Sequence, residues 1–394
     1  MGRPMLLRSY VEHALYARAQ GYFAMKHVVG RLKQPLPFRE YPDEAHYRQA
    51  VRNLHETGDC DWLTPSEQFT PFYGEAFARS IVARHRAAYP AHTPLQLVEV
   101  GGGNGTFARD VLQYLRRDEP ELYSTCRYLL LEIAPPLAEA QRSCLGAALG
   151  DEHLAARVQI INEDARVWAE ANAGQLTGGP WWFNLLEVLD NLGHDVLRVT
   201  APRRGTDGDV LLEQAVVEED DAEREAVYQL VETKTGWRRE VEVPEEMRTE
   251  WRKTYEPLTD PDMIAVTAAL GLADYNALRV LRAEIAATDG AGTGAAVASG
   301  LQDFFGTLLG ESGGSAQQAM DVWVPTGSYR LLRALCRAAP QHEFSIADYS
   351  WLPPQPDGAI NAPVVQAQVH PHHLPPSPTI SHHLPPSPTI SHHL

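Results

Sequence analysis

The sequence predicts an α/β fold built on a parallel, doubly wound sheet. Apolar segments of strand length alternate with segments of helical periodicity from residue 95 onward. A glycine-rich loop joins the first strand to the first helix, and a proline opens the second helix. This alternation favours parallel strands, because a parallel connection needs a crossover of a dozen or more residues, usually a helix.

Five strands are predicted before residue 220, and the sheet is expected to resume near the end of the chain. The first strand, LQLVEV at 95–100, is followed by the helical segment TFARDVLQYLRR. The other four are RYLLLEI (127–133), VQIINED (158–164), WWFNLLEVLD (181–190) and DVLLEQAVVEE (209–219). The returning elements are a helix at GSYRLLRALCRAA (327–339) and strands at HEFSIADYSW (342–351) and APVVQAQV (362–369).

The chain is predicted to have five parts. Residues 1–90 carry amphipathic helical patterns at 5–23 and 66–89 and are expected to form an N-terminal helical cap. The other parts are a core at 91–220, an inserted helical subdomain at 221–320, a return of the core sheet at 321–370 and a tail at 371–394. The tail contains LPPSPTISHH twice and has no means of burying a core, so disorder is predicted there.

Composition excludes several classes of protein. The 394 residues have a formal net charge of -17 and no long basic run, which disfavours nucleic-acid binding. An acidic surface would instead attract a basic protein. The four cysteines form no CxxC pair, which disfavours a disulfide framework, and no ligand set for a metal is recognised. No apolar run approaches the ~20 residues of a membrane span, and the first ten residues lack a signal-peptide core.

The glycine-rich loop has the spacing acidic-x-Gly-x-Gly-x-Gly. A dinucleotide fingerprint would place its third glycine at Thr106, which is not glycine. The observed spacing fits the S-adenosyl-L-methionine loop of Rossmann-like methyltransferases, in which glycines let the backbone approach the ligand. An acid at the strand end can meet the ammonium group of that cofactor. The predicted cofactor-binding residues of the loop are Glu99, Gly101, Gly103, Asn104 and Gly105.

Two further carboxylates end predicted strands. Glu132 ends the second strand, where it could accept hydrogen bonds from both ribose hydroxyls. NAD enzymes use the same device, so Glu132 predicts a nucleoside without choosing which one. Asp164 ends the third strand and could accept from an adenine amino group. With the loop, these residues predict a site for S-adenosyl-L-methionine.

Several segments carry a family resemblance over most of residues 8–370. They include ALYARAQGYF, DWLTPSEQFTPFYGEA, VEVGGGNGTFARDVL and LLEIAPPLAEAQ. NLLEVLDNLGHDVL is similar to an N-E-x-x-D-A-L-P segment and is closer to a eukaryotic form with E-V-L-D-N-L, although Gly193 stands where that segment has proline. By these motifs the chain resembles the MidA-like methyltransferase family, which includes the mitochondrial complex I assembly factor with protein-arginine methyltransferase activity.

The resemblance implies a Rossmann-like methyltransferase sheet with an N-terminal helical cap and an inserted helical subdomain. It also implies S-adenosyl-L-methionine as cofactor and transfer of a methyl group to an arginine of a protein substrate, such as a complex I subunit. Symmetric dimethylation and a mitochondrial location follow from the same likeness. The oligomeric state is left open.

Three acids are candidates for catalysis. Glu187 and Asp190 follow the fourth strand, where they could hold a guanidinium, and their spacing puts both on one face if the turn is helical. The alternative for this pair is an acidic helix N-terminus that stabilises the helix dipole. Glu67 stands where the resembling family has an acid, and its alternative is a helix-start residue. His194 could act as a base or be a solvated loop histidine.

Two other functions remain open from sequence alone. One is a non-catalytic assembly factor that binds the cofactor. The other is an NAD(P)-dependent dehydrogenase, which the glycine spacing and the absence of a Tyr-x-x-x-Lys pattern disfavour.

Overall fold

A computed structural model describes much of the chain within the unit Met1–Pro363. The described residues are 4–17, 21–25, 29–32, 34–56, 63–200, 211–218, 230–233, 236–239, 252–270 and 319–348. The predicted strand at 362–369 and the repeat tail at 371–394 lie outside them. None of the described helices is long and apolar enough to cross a bilayer.

The described elements follow one another as strands and helices of mixed length. In chain order they are β1 (Met5–Leu6), α1 (Leu7–Tyr16), α2 (Tyr22–Met25), α3 (Glu44–Glu56), α4 (Pro65–Gln68), α5 (Phe72–Ala88), β2 (Gln96–Val100), α6 (Thr106–Asp118), α7 (Pro120–Thr125), β3 (Arg127–Leu131), α8 (Pro135–Leu149), α9 (Asp151–Arg157), β4 (Val158–Ile161), α10 (Ala165–Ala171), β5 (Trp181–Leu186), β6 (Asp195–Thr200), β7 (Leu211–Glu218), β8 (Leu230–Thr233), β9 (Gly236–Arg239), β10 (Arg252–Pro257), α11 (Pro261–Ala269), β11 (Ala319–Val324), α12 (Thr326–Ala338) and β12 (His342–Ala347).

A parallel five-stranded sheet forms the core, in the order β12-β5-β2-β3-β4. Every pairing along this order is parallel. One face packs against α5, α6, α7 and α8 through a cluster that includes Leu97, Leu112 and Trp182. The other face packs against α10 and α12 through Val98, Phe183 and other residues. Both faces are therefore covered, as parallel sheets require, and the predicted α/β class is confirmed.

The predicted fifth strand lies in a second sheet and not in the parallel core. That segment, at 209–219, forms β7, which pairs antiparallel with β1, β6 and β10. Strand β6, which the sequence reading missed, also pairs antiparallel with β11. Only ten residues separate β6 from β7, too few for a helical crossover, so these strands form an antiparallel pair. The place beside β5 in the parallel sheet goes to β12 instead.

The segment 221–320 was predicted to be helical, and its described parts correct that prediction. They contain the antiparallel hairpin β8–β9 and strand β10, followed by the helix α11. Strand β10 pairs with six residues of β7 and so extends the second sheet. The composition of β10 is charged and typical of a helix, but pairing with β7 stabilises the strand conformation instead.

The described part of the N-terminal region contains the helices α1 to α5, and one buried cation holds the first of them. The side chain of Arg8 in α1 donates to Asp195 Oδ2 at 2.6 Å and to Asp260 Oδ2 at 2.6 Å. Asp195 begins β6, and Asp260 caps α11 by accepting from the Met263 amide at 2.8 Å. The N-terminal helix is thus fixed to the second sheet by charged hydrogen bonds.

Candidate cofactor and acceptor site

The glycine loop turns sharply between β2 and α6. Gly101, Gly103 and Gly105 have φ angles of 66°, 52° and 81°, in the left-handed region where a side chain is strained. At Gly102 the limit is space, because a Cβ there would lie 3.0 Å from Glu99 Oε1. The loop therefore presents bare backbone at the carboxyl end of the sheet, where ligands of open α/β folds bind.

Glu99 is buried at the end of β2. Its Oε2 atom accepts a hydrogen bond from the Tyr128 hydroxyl at 2.7 Å. Burial raises the pKa of Glu99 to about 8, against the lowering effect of the Tyr128 bond and with a smaller raising effect from Glu132. The carboxyl is mostly protonated at pH 7 in the free protein, and a cation beside it would ionise it.

Glu132 is buried at the end of β3 and is held by its own neighbours. Its Oε1 atom accepts from the Ala134 amide at 2.9 Å, and its Oε2 atom accepts from Gln141 Nε2 at 3.1 Å. Burial raises the pKa of Glu132 to about 7, although these hydrogen bonds oppose the rise. Gln141 Nε2 also donates to the Gly103 carbonyl at 3.1 Å, so it links the glycine loop to Glu132. The sequence reading missed Gln141, which lies nine residues beyond Glu132 in the same matched segment.

Asp164 caps α10 and pairs with Arg166. Its Oδ1 atom accepts from the Arg166 amide at 2.8 Å, and its Oδ2 atom accepts from Arg166 Nη2 at 2.8 Å. Burial acts to raise the pKa of Asp164, but the bonds and charge of Arg166 outweigh it, and the pKa falls below its usual value. Arg166 also bonds Glu12 of α1. The predicted contact of Asp164 with adenine stays a prediction.

Glu67 lies against the glycine loop. It is buried in α4, and its Oε1 atom accepts from Asn104 Nδ2 at 3.2 Å and from the Thr106 hydroxyl. Asn104 Nδ2 also donates to the carbonyl of Gly30 at 3.0 Å. These contacts give Glu67 a part in holding the loop, and its predicted catalytic role stays a prediction.

The N-terminal residues cover the same loop. Val29 approaches Gly103, where a Cβ would lie 3.7 Å from Val29 Cγ1. Val29 also packs with Phe23, Ala134 and other residues at the end of β3. The Tyr16 hydroxyl donates to the carbonyl of Asn191 at 2.7 Å and so joins α1 to the loop after β5. The N-terminal residues therefore contact both the glycine loop and the loop after β5.

The loop after β5 is not helical, so Glu187 and Asp190 do not share one face of a helical turn. Residues 187–194 form no helix, and Glu187 has a φ of 53°, the single left-handed non-glycine residue in the described chain. The Glu187 amide donates to the Ala347 carbonyl at 2.8 Å, and the Asp190 amide donates to Asp348 Oδ2 at 3.2 Å. The alternative of an acidic helix N-terminus is therefore wrong. The pairing of β12 with β5 brings in a third acid, Asp348, which the sequence reading missed.

Burial and neighbouring acids raise the pKa of both Glu187 and Asp190. Burial, followed by the charges of Asp190 and Asp348, raises the pKa of Glu187 to about 7. Partial desolvation, followed by the charge of Asp348, raises the pKa of Asp190 to about 6. His194 lies nearby in the loop, where burial lowers its pKa and its Nδ1 is 2.8 Å from the Leu192 carbonyl oxygen. The loop after β5 thus carries a cluster of acids that a bound cation would stabilise.

Buried amide groups around the loop fit a ligand that carries hydrogen-bond donors. Among the described residues, Asn104 Oδ1, Gln141 Oε1 and both amide atoms of Asn184 are buried without a partner. S-adenosyl-L-methionine carries an ammonium group, ribose hydroxyls and an adenine amino group. Glu99 and Glu132 would hold the ammonium group and the ribose, and the cofactor would supply a methyl group on a sulfonium sulfur.

Comparison with known families decides the class. A model of a family of S-adenosyl-L-methionine-dependent methyltransferases matches residues 76–381. The chain belongs to this family. S-adenosyl-L-methionine is accordingly the cofactor of this Rossmann-like fold, and the dehydrogenase alternative is set aside.

Solved structures are similar at low identity. A Burkholderia thailandensis protein described as a methyl transferase and bound to S-adenosyl-homocysteine is 18% identical, with a TM-score of 0.39, over 72% of this chain and 55% of its own. This chain thus spans little more than half of that relative's length. Magnesium protoporphyrin IX methyltransferase from Synechocystis PCC 6803 is 11% identical, with a TM-score of 0.24, over 50% of this chain and 73% of its own. No curated protein matches the chain.

Cofactor affinity is expected to rise with pH from about 6 to 7.5. Glu99 has a pKa of about 8 in the free protein, and the ammonium group favours its ionised form, so binding releases about one proton below that pKa. Affinity should then increase by up to about tenfold per pH unit. Calorimetry in buffers of different ionisation enthalpy measures the proton count. Glu99→Gln should abolish most of this release, and an unchanged count in that variant would contradict the assignment.

Glu132→Ala is expected to weaken S-adenosyl-L-methionine by about 1.5–3 kcal/mol, or tenfold and more, because two ribose hydroxyls would lose a charged acceptor. Titration calorimetry with a melting curve checks this result. Glu139→Ala is a suitable control, since Glu139 is exposed on α8 and bonds Arg142 of the same helix. A change below about tenfold would remove Glu132 from the cofactor site.

Proposed function

We propose that this methyltransferase transfers its methyl group to an arginine side chain of a protein substrate. The observation that carries the proposal is the position of the acids Glu187, Asp190 and Asp348. The loop that holds the first two packs on the glycine loop, since a Cβ on Gly101 would lie 3.3 Å from Val188 Cγ2. An acceptor group held by these acids would therefore stand beside the cofactor.

Charge favours a cationic acceptor. In the described part of the chain, neither Glu187 nor Asp190 forms an ion pair with a lysine or arginine. Their raised pKa values reflect desolvation and the charges of neighbouring acids, Asp190 and Asp348 for Glu187 and Asp348 for Asp190, which a guanidinium would compensate. Arginine presents a planar set of donors that pairs with carboxylates through two parallel hydrogen bonds. Two or three acids can thus fix its orientation as well as its charge.

The reaction needs a place for a proton. A guanidinium nitrogen forms the new bond to carbon while the bond from carbon to the sulfonium sulfur breaks, and the sulfur becomes a neutral thioether. The methylated nitrogen then gives up a proton. Glu187 is suited to accept it, because its carboxylate would lie beside the nitrogen that loses the proton.

The resemblance to the MidA-like family extends the proposal to symmetric dimethylation, a mitochondrial location and a substrate among complex I subunits. The net charge of -17 supports a basic protein as partner. The cluster of Glu187, Asp190 and Asp348 supports arginine over a neutral acceptor, because carboxylates pair with a guanidinium.

Mass spectrometry of arginine methylation in cells with and without this chain tests the proposal. We expect one or a few sites to lose methylation without the chain and to regain it with the purified protein and S-adenosyl-L-methionine. If the cofactor binds and no arginine site changes, the arginine proposal is wrong. The non-catalytic assembly factor then becomes the better account.

A further inference from the structure

Asn184 is a buried amide without a partner. It lies in β5 and is fully buried. Neither its Nδ2 nor its Oδ1 atom has a hydrogen-bond partner among the residues that the structure describes. A buried amide that forms no hydrogen bond destabilises a fold, so such a group needs a reason.

Its position brings it to the cofactor side of the sheet. Asn184 pairs in register with Glu99 across the parallel strands β5 and β2. Side chains of paired residues in neighbouring parallel strands point to the same face, so both lie on the face that packs against α6. Trp182, two residues earlier on that face, belongs to the apolar cluster there. Asn184 is therefore a polar residue near the glycine-loop end of an otherwise apolar row.

The Tyr128 hydroxyl engages only one of the two carboxylate oxygens of Glu99. That oxygen is Oε2, and the Oε1 atom lies beside Gly102, where a Cβ would stand 3.0 Å away. An ammonium group bound to Glu99 carries three donor hydrogens, and one carboxylate oxygen does not satisfy them all. A neutral amide oxygen is a suitable second acceptor.

We propose that Asn184 is a positioning residue for the amino acid part of the cofactor. Its Oδ1 atom accepts a hydrogen bond from the ammonium group, and its Nδ2 atom donates to the ionised carboxylate of Glu99. In the free protein neither amide atom has a partner among the described residues, and in the complex both would have one. Asn184 thereby favours ligands that carry the amino acid over ligands that carry adenosine alone.

Gln96 provides a matched control. It is also a buried amide on a core strand, and its Nε2 atom also has no partner among the described residues. It stands at the opposite end of β2 from the glycine loop and pairs with Trp181. A general effect of removing a buried amide would appear in Gln96→Leu as well as in Asn184→Leu.

The test compares two ligands by calorimetry. S-adenosyl-homocysteine carries the amino acid part, and 5′-methylthioadenosine has the same adenosine without it. Asn184→Leu should raise the Kd for S-adenosyl-homocysteine about tenfold or more, because hydrogen bonds to charged groups are lost. The Kd for 5′-methylthioadenosine should change less than about threefold, and Gln96→Leu should alter neither.

Stability gives an independent measurement on the same variants. Without ligand, Asn184→Leu should melt at the same or a higher temperature, because an unsatisfied amide has been removed. If leucine prevents folding, Asn184→Ser should show the same ligand selectivity with a smaller loss. An unchanged Kd for S-adenosyl-homocysteine, or equal weakening of both ligands, would overturn the proposal. Neither result bears on arginine as acceptor, since no substrate is present.

Discussion

Replacing Arg8 with methionine is expected to lower the free energy of unfolding by about 3–5 kcal/mol. Arg8 is buried and bonds two carboxylates, Asp195 and Asp260, of which Asp195 is completely buried. Methionine replaces the aliphatic stem of the arginine and carries no charge, so both acids would be left in a poorly solvated place without their cation. Buried charges that lose a partner are among the most destabilising single changes.

Chemical denaturation of the wild type and the variant measures this loss. Arg198→Met is a matched control, because Arg198 also bonds an acid, Asp321, at 2.9 Å within the same sheet. That pair is partly exposed, and Lys253 also bonds Asp321 at 2.9 Å, so we expect a loss of about 1 kcal/mol or less. Equal losses in the two variants would show that burial of the Arg8 cluster does not increase its contribution to the free energy of unfolding.

Charge can be separated from packing in the same system. Adding Asp195→Asn to Arg8→Met should recover part of the stability, because one unpaired charge is then removed. Acid should instead lower the stability of the wild type, because protonation of Asp260 weakens its interaction with Arg8. Burial by itself would raise the pKa of Asp260. The hydrogen bonds from Arg8 and Met263 have the larger effect and bring this pKa below its usual value. Its contribution is therefore present above about pH 4 and is lost as the pH falls through the native value.

This cluster also illustrates what the sequence could not reveal. Arg8 and Asp195 are 187 positions apart, and Arg8 and Asp260 are 252 apart. No periodicity or motif connects such residues. Gly193 is similar: its departure from the family's proline has a reason only in three dimensions, since a Cβ there would lie 2.9 Å from the Arg8 carbonyl oxygen. The close approach of α1 requires a small residue at that position.

Features within one strand and loop were predictable. The glycine loop, Glu99 and Glu132 stand at the ends of predicted parallel strands. The carboxyl ends of such strands meet at one edge of the sheet, so the sequence alone predicts that these residues lie together. Asp164 shows the limit of this reasoning, because its neighbour Arg166 occupies both carboxylate oxygens. Asn184 shows a second limit: its alternation within an apolar strand does not reveal that its amide has no partner.

Methyl transfer is expected to fall about 10²–10⁴-fold in Glu187→Gln, the usual contribution of a positioned acid or base, with little change in cofactor affinity. The amide keeps the shape but loses the charge that grips the guanidinium and the site that accepts its proton. Calorimetry with S-adenosyl-L-methionine and a melting curve accompany the transfer assay. Glu343→Gln is the control, because Glu343 lies in β12 far from the loop and bonds Arg84 and Tyr89 instead.

The backbone of Glu187 makes a sharper version of this experiment available. Its φ of 53° is unfavourable for a residue with a side chain, by about 1–2 kcal/mol, and glycine adopts it freely. Allowing for the greater freedom of glycine in the unfolded chain, Glu187→Gly should leave stability unchanged or raise it by up to about 1 kcal/mol. A strained residue is retained where its side chain has a function. We therefore expect Glu187→Gly to fold at least as well as the wild type and to lose transfer as Glu187→Gln does. A glycine variant that is both stable and active would show that the carboxylate is not needed, and the acid that holds the acceptor would have to be sought in Asp190 or Asp348.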